Sequence, residues 1–200
     1  MLKWRIVIGL FLVIAGLVLT VKYTRYYVIP KNFKMVEKDL FRGGKQTDRV
    51  FGELLQTYKF KTIVSLTGEF KEQEKAAVAG GAKYVFYAWR GSGVGPFNEY
   101  KEAALLLANP ASRPAFFHCY AGDKRSNATT FAVSLEEGMS VEQAFARLEQ
   151  FGFSKTEDTT LYQHLKDYAA WREIQNKDAF QPKRPSDANS IIDVPIAAKH

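Results

Sequence analysis

Residues 114–126 read Pro-Ala-Phe-Phe-His-Cys-Tyr-Ala-Gly-Asp-Lys-Arg-Ser. The apolar run before the histidine predicts a buried strand, and the small and polar residues after the cysteine predict a loop that opens a helix. Cys119 is the only cysteine of the chain, and five residues separate it from Arg125. A thiolate is the nucleophilic form of cysteine. Placed at a helix N-terminus, among backbone N–H groups and a guanidinium, it ionises near neutrality. The amides from Tyr120 through Ala121, Gly122, Asp123 and Lys124 to Arg125 are able to curl around three phosphoryl oxygens, with Gly122 supplying a conformation that side chains resist. Arg125 can fork onto two of those oxygens, as a lysine cannot. The plainer reading, an inert buried cysteine after an apolar strand, leaves the Cys119 to Arg125 interval, the histidine and the hydroxyl of Ser126 unexplained.

The stretch from His118 to Ser126 resembles the signature loop of the cysteine-dependent protein tyrosine phosphatase superfamily. Its Ala121-Gly122 pair is most similar to the dual-specificity branch. The resemblance implies that Cys119 attacks phosphorus in line to form a phosphocysteine, that Ser126 stabilises the departing thiolate when water hydrolyses it, and that His118 orients the loop from behind by hydrogen bonding. It implies no cofactor.

The chain has 200 residues, 46% apolar and 24% charged, enough for one cored domain beyond the N-terminal segment. A net charge of +7 points to anionic partners: a phosphorylated protein, a phosphorylated lipid or a membrane surface. No zinc spacing, RNA-binding aromatic motif or helix-turn-helix pattern is present, so nucleic acid is not expected. No ligand spacing for a metal is found.

Residues 6–21 are apolar or small, flanked by Lys3 and Arg5 on one side and Lys22 and Arg25 on the other, with Trp4, Tyr23, Tyr26 and Tyr27 at the ends. This pattern predicts an uncleaved, single-pass signal anchor over residues 1–27. A cleaved signal peptide is disfavoured because no small-x-small site follows the run, and a buried core helix is disfavoured by the cationic flanks. The charges do not decide which side the domain faces. Residues 22–49 hold eight basic and three acidic residues, either a solvated face or a surface for anionic headgroups.

A linker at 28–31 is expected to lead into a catalytic domain at 32–174, with a disordered tail at 175–200. Short strands are predicted at 33–36 and 40–42, where Leu40-Phe41-Arg42-Gly43-Gly44 resembles a strand common to dual-specificity-like phosphatases. A helix capped by Thr47 or Asp48 follows. Strands at 62–66, 84–89 and 115–118 then alternate with helices at 71–79, 97–108 and 126–137. That order predicts an α/β fold, a mostly parallel sheet flanked by helices. Ser140 and Gln143 form a capping box for a helix at 141–150, and a last helix is expected at 158–174.

In such a sheet the ligand site lies at the carboxyl ends of the strands, which adds Glu69 and Arg90 as supporting residues. The loop after the strand at 84–89 is where relatives carry an aspartic acid that protonates the leaving oxygen. Here it reads Trp-Arg-Gly-Ser-Gly-Val-Gly-Pro at 89–96, without a carboxylate, and its three glycines suggest a mobile flap. Asp123 is the first substitute acid, with a structural role as its alternative, and Glu99 and Glu69 come next. Lys124 adds charge suited to a multiply anionic substrate. His164 is expected on the outer part of the last helix, uninvolved, as is the terminal His200. The resulting expectation is a membrane-anchored phosphatase of phosphotyrosine, with or without phosphoserine and phosphothreonine. The alternatives are a phosphoinositide or phospholipid-headgroup phosphatase, a phosphate-binding pseudophosphatase, and a rhodanese-like sulfurtransferase.

Overall fold

The computed structural model describes residues 2–179. A five-stranded sheet has the order β1-β2-β5-β3-β4, from β1 (Lys34–Glu37), β2 (Leu40–Gly44), β3 (Thr62–Ser65), β4 (Lys83–Phe86) and β5 (Ala115–Cys119). Only the β1–β2 pair is antiparallel, so the expected mostly parallel sheet is found. β5 is central, and its alternation divides the core. Phe116 joins Phe41, Ile63, Val50, Phe51 and Leu54 beneath α2 (Asp48–Tyr58) and α3 (Lys71–Ala79). Ala115, Phe117 and Cys119 face a larger cluster with Tyr100, Phe131, Leu148 and Tyr168. That layer is built by α4 (Phe97–Ala108), α5 (Lys124–Glu136), α6 (Val141–Glu149) and α7 (Thr159–Ala179). The helix α5 is buried along most of its length, which is why it lacks an amphipathic pattern.

The caps are where the sequence places them. Thr47 accepts from Val50 N, and Ser140 with Gln143 forms a capping box. β4 ends at Phe86 rather than Trp89, because beyond it the chain exchanges parallel pairing for an antiparallel bridge between Thr67 and Ala88. The last helix continues past Ile174 to Ala179, supported by the Lys177–Glu173 pair and by Lys101 Nζ on Asn176. The expected tail beyond it, residues 180–200, lies outside the described residues.

At the edge opposite Cys119, where β5 begins, Glu37, Arg113, Glu137 and Arg147 form a closed ring of alternating charge. The helix α1 (Leu2–Thr24) precedes these elements, and its described side chains are almost all exposed. The segment Val7–Tyr27 is long and apolar enough to cross a membrane, and none of it is buried.

Candidate active site

The site is assembled where β5 ends. Gly44 on β2 pairs with Cys119 on β5, and the chain then turns through the loop into α5. Gly122 makes the turn possible at φ +77°, and a Cβ there would lie 2.5 Å from Gly44 N and 2.6 Å from Gly43 C. Only glycine fits both the conformation and the space. The Gly43-Gly44 pair is therefore the complement of the loop, the place where β2 lets it approach.

The loop's carbonyls are held from outside. Lys45 N donates to Tyr120 O at 3.2 Å, and Asn32 Nδ2 donates to Ala121 O at 2.8 Å. Arg42 Nη2 donates to Gly122 O at 3.2 Å and Asp123 O at 3.4 Å, while its Nη1 reaches Thr130 Oγ1 at 3.1 Å. The Arg42 guanidinium lies beneath the loop, over the ring of Phe151, and burial lowers its pKa to about 10. In the sequence Arg42 stands only as part of a strand, with nothing that assigns it to the site. The signal was a buried strand position occupied by an arginine, which must find acceptors.

With the carbonyls engaged outside, the amides turn towards Cys119. Gly122 N donates to Cys119 Sγ at 3.1 Å, and Ser126 Oγ lies 3.4 Å from Sγ and 3.3 Å from Gly43 O. Burial alone pushes the Cys119 thiol up. The Ser126 hydroxyl and the backbone of Asp123, Ser126 and Gly122 outweigh it and hold the thiol below its ordinary range. Arg125 Nη1 donates to Trp89 O at 3.2 Å, whereas its Nε is buried and has no partner among the described residues. Trp89 is itself fixed by Glu99, whose Oε2 accepts from the indole Nε1 at 2.6 Å. Glu99 is thus committed to the residue that positions Arg125, which leaves it poorly placed as the acid.

The other expected residues sort as follows. Asp123 is exposed, and its Oδ1 accepts from Asn127 Nδ2 at 3.2 Å. Lys124 pairs with Asp158 at the start of α7 at 3.2 Å, so its charge is compensated rather than turned on the pocket. Arg90 and Glu69 are exposed at the ends of their loops. His118 is fully buried and stacks 5.3 Å from Phe116 and 6.2 Å from Phe70. Burial lowers its pKa to about 4, partly opposed by the Cys119 backbone and reinforced by Lys45. Among the described residues neither ring nitrogen meets a hydrogen-bond partner in good geometry, although the Cys119 backbone lies close enough to act on the ring, so ring packing is the main hold on His118 where a hydrogen bond was expected.

The structure differs from expectation at the flap and at His164. Rather than free, the flap is pinned: Tyr100 Oη donates to Gly93 O, and Gly93 is buried so tightly that a Cβ would lie 2.9 Å from Lys124 O. His164 does not face outwards. Its Nε2 lies 3.0 Å from Gly95 O, and its ring packs against Phe97 and Tyr100. Both residues draw the flap onto α4 and α7.

Among the described residues no group of His, Cys, Asp and Glu side chains gathers as a metal site.

No protein-family model matches the chain, and no curated protein sequence does. Solved structures do match it. The core catalytic domain of the PP-IP phosphatase SIW14 from S. cerevisiae aligns at TM-score 0.57 and 22% identity, covering 78% of this chain and 97% of that one. Tk-PTP in its G95A mutant form aligns at TM-score 0.61 and 14% identity, covering 71% and 97%. PTPMT1 aligns at TM-score 0.52 and 12% identity, covering 70% and 98%. The domain has the fold shared by these phosphatases.

Proposed function

We propose that this domain, which has the fold of the cysteine-dependent phosphatases, hydrolyses phosphate monoesters through a phosphocysteine on Cys119. The observation that carries the reading is the pairing of two features in one loop. Cys119 Sγ is hydrogen-bonded by Gly122 N and Ser126 Oγ, and the Arg125 Nε at the end of the same loop is a buried donor without an acceptor among the described residues. A buried unpaired donor is costly, and a phosphoryl oxygen is the acceptor that suits it.

In this reading the amides of residues 120–125 bind the three equatorial oxygens, and Arg125 clamps two of them as charge spreads in the transition state. The thiolate attacks phosphorus, the P–O bond to the leaving group breaks, and the leaving oxygen takes a proton. Water then attacks the phosphocysteine, and the departing thiolate regains the Ser126 hydrogen bond. Asp123 is the proposed proton donor. It is the loop's own carboxylate, and only its Oδ1 is bound to Asn127. Anchoring by Val7–Tyr27 completes the proposal, since an apolar helix left uncovered by the domain is suited to lipid.

A phenolate leaves more readily than an alkoxide, so an aryl ester asks less of the acid than an alkyl one does, which favours phosphotyrosine over phosphoserine and phosphothreonine. A phosphorylated lipid headgroup is the second reading. It is supported by the bond from Asn32, just beyond the apolar segment, to the signature loop, which keeps the loop near the membrane surface. The test is chemical trapping. Full-length protein in detergent micelles, mixed with radiolabelled para-nitrophenyl phosphate and quenched within milliseconds, should carry label on Cys119, and Ser126→Ala should accumulate more of it. Product formation without a labelled cysteine would overturn the reading.

A further inference from the structure

Beside the signature loop, on the side of Tyr120, an open pocket of about 360 Å³ is lined by Lys31, Lys45, Gln46, Thr47, Asp48 and Tyr120. We propose that this pocket is a second anion subsite, in which Lys31 and Lys45 receive a second phosphoryl group carried by the substrate of the Cys119 site. The proposal rests on the phosphatase reading and narrows its substrate to esters with a further phosphate near the one removed.

The two lysines are placed by the fold rather than by chance. Lys45 follows Gly44, the partner of Cys119 in the sheet, and its backbone N–H binds Tyr120 O. Lys31 is fixed at its backbone, its N–H donating to Gln46 Oε1 at 2.8 Å and its carbonyl accepting from Gln46 Nε2 at 3.0 Å and Gly44 N at 2.8 Å. Aromatic faces hold both ammonium groups, Lys45 Nζ 3.9 Å from the Phe70 centroid and Lys31 Nζ 4.6 Å from that of Tyr120. An aromatic face orients a cation without cancelling its charge.

Neither lysine is paired with a carboxylate among the described residues, in contrast to Lys124, Lys155 and Lys177. Asp48 is the pocket's own acidic residue, exposed in the first turn of α2. Two half-buried lysines lining one pocket without an ion-pair partner among the described residues leave a positive charge there that an anion relieves. A substrate with one phosphate in the loop and another over Lys31 and Lys45 would meet both demands.

Affinity for non-hydrolysable probes tests the subsite independently of turnover. Phenylphosphonate fills the loop alone, and meta-phenylenebisphosphonate offers a second anion. Calorimetry on the full-length protein in detergent micelles should give the bisphosphonate an advantage of about tenfold, as one added charge-assisted contact provides. Lys45→Gln and Lys31→Met should each erode that advantage, Lys31→Arg should restore it, and Lys166→Gln on α7 should leave it intact. Equal affinity for the two probes in the wild type, or an advantage that survives in the double variant, would overturn the subsite. An advantage that depends on the lysines, in a protein that releases no phosphate, would leave the subsite standing and sink the hydrolase reading instead. The same comparison in mixed micelles, phosphatidylinositol monophosphate against phosphatidic acid, identifies the source of the second phosphate. A lysine-dependent preference there places it on a lipid, and one confined to the soluble probes places it on a soluble polyphosphate.

Discussion

At the scale of single residues the account turns on Cys119 and the groups within reach of it. Asp123 carries the sharpest prediction, because its proposed role depends on the leaving group. With phenyl phosphate, whose phenolate leaves poorly, Asp123→Asn should lower kcat by about a hundredfold, at the lower end of what general acid catalysis supplies. With para-nitrophenyl phosphate the loss should be within a few fold, and equal losses on both substrates would assign Asp123 to holding the loop through Asn127. Gly122→Ala is argued from geometry. A positive φ and a Cβ 2.5 Å from Gly44 N should cost about 1–3 kcal/mol of stability, measured by urea unfolding.

The residues between His118 and Ser126 were legible because a nest, a nucleophile and an arginine must be contiguous to surround one phosphate. The residues that hold this loop were not. Arg42, Asn32 and Gln46 come from distant positions, and their roles exist only once β2 lies beside β5. His164 was misplaced because a lone histidine on a helix gives no sign of which face it occupies. Burial lowers its pKa, and Gly95 in the flap opposes that.

Among the elements, the segment leaving α1 has the most consequence. Its residues Lys31 and Asn32 are bonded to Gln46, Gly44 and Ala121, so the path from the apolar helix to the phosphate loop is short. Asn32 has φ +47°, which glycine tolerates, so Asn32→Gly removes the side chain and leaves the backbone unstrained. Losing its bond to Ala121 O should cost about 1 kcal/mol of loop order, a reduction of roughly fivefold in kcat/KM for para-nitrophenyl phosphate. Melting temperature, measured in parallel, should fall by only a few degrees. A wild-type rate in this variant would show that the strap does not hold the loop. The flap is the element where the sequence misled most. Three glycines suggested mobility, yet Gly93 and Gly95 are small because Lys124, Leu161, Trp89 and Tyr100 press against them.

For the molecule as a whole, the mostly parallel sheet and its flanking helices followed from alternating strands and helices, and the helices α3 and α4 lie at the residues their patterns gave; the strand order, with β5 at the centre, did not. What could not be read was the charged ring at the opposite edge. Glu37, Arg113, Glu137 and Arg147 are far apart in sequence, and each alone resembles a solvated surface residue. Burial raises the Glu37 pKa, whereas in Glu137 burial is outweighed by the hydrogen bonds that Arg113 and Arg147 donate, which hold that carboxyl below its ordinary range. Arg113→Met should leave two partly buried carboxylates sharing Arg147 alone and destabilise the domain by about 1–3 kcal/mol, with activity per folded molecule preserved. Acid sensitivity follows from His118. Its folded pKa of about 4 lies below the ordinary 6.5, so the unfolded chain binds a proton that the folded chain refuses between those values. His118 therefore makes stability fall as pH drops from about 6.5 towards 4, a slope that His118→Gln should flatten in denaturant titrations.

Everything proposed for this site depends on Cys119 acting as a phosphate-accepting nucleophile. The most direct measurement is hydrolysis of para-nitrophenyl phosphate by the full-length protein in detergent micelles, with and without vanadate, beside Cys119→Ser. Turnover is expected in the wild type, blocked by vanadate and absent in the serine variant. Its pH limb should lie below the ordinary thiol value of 9.0, since the hydrogen bonds to Sγ favour the thiolate. A folded wild-type protein that leaves this substrate intact, or a serine variant that hydrolyses it as fast, would contradict the account.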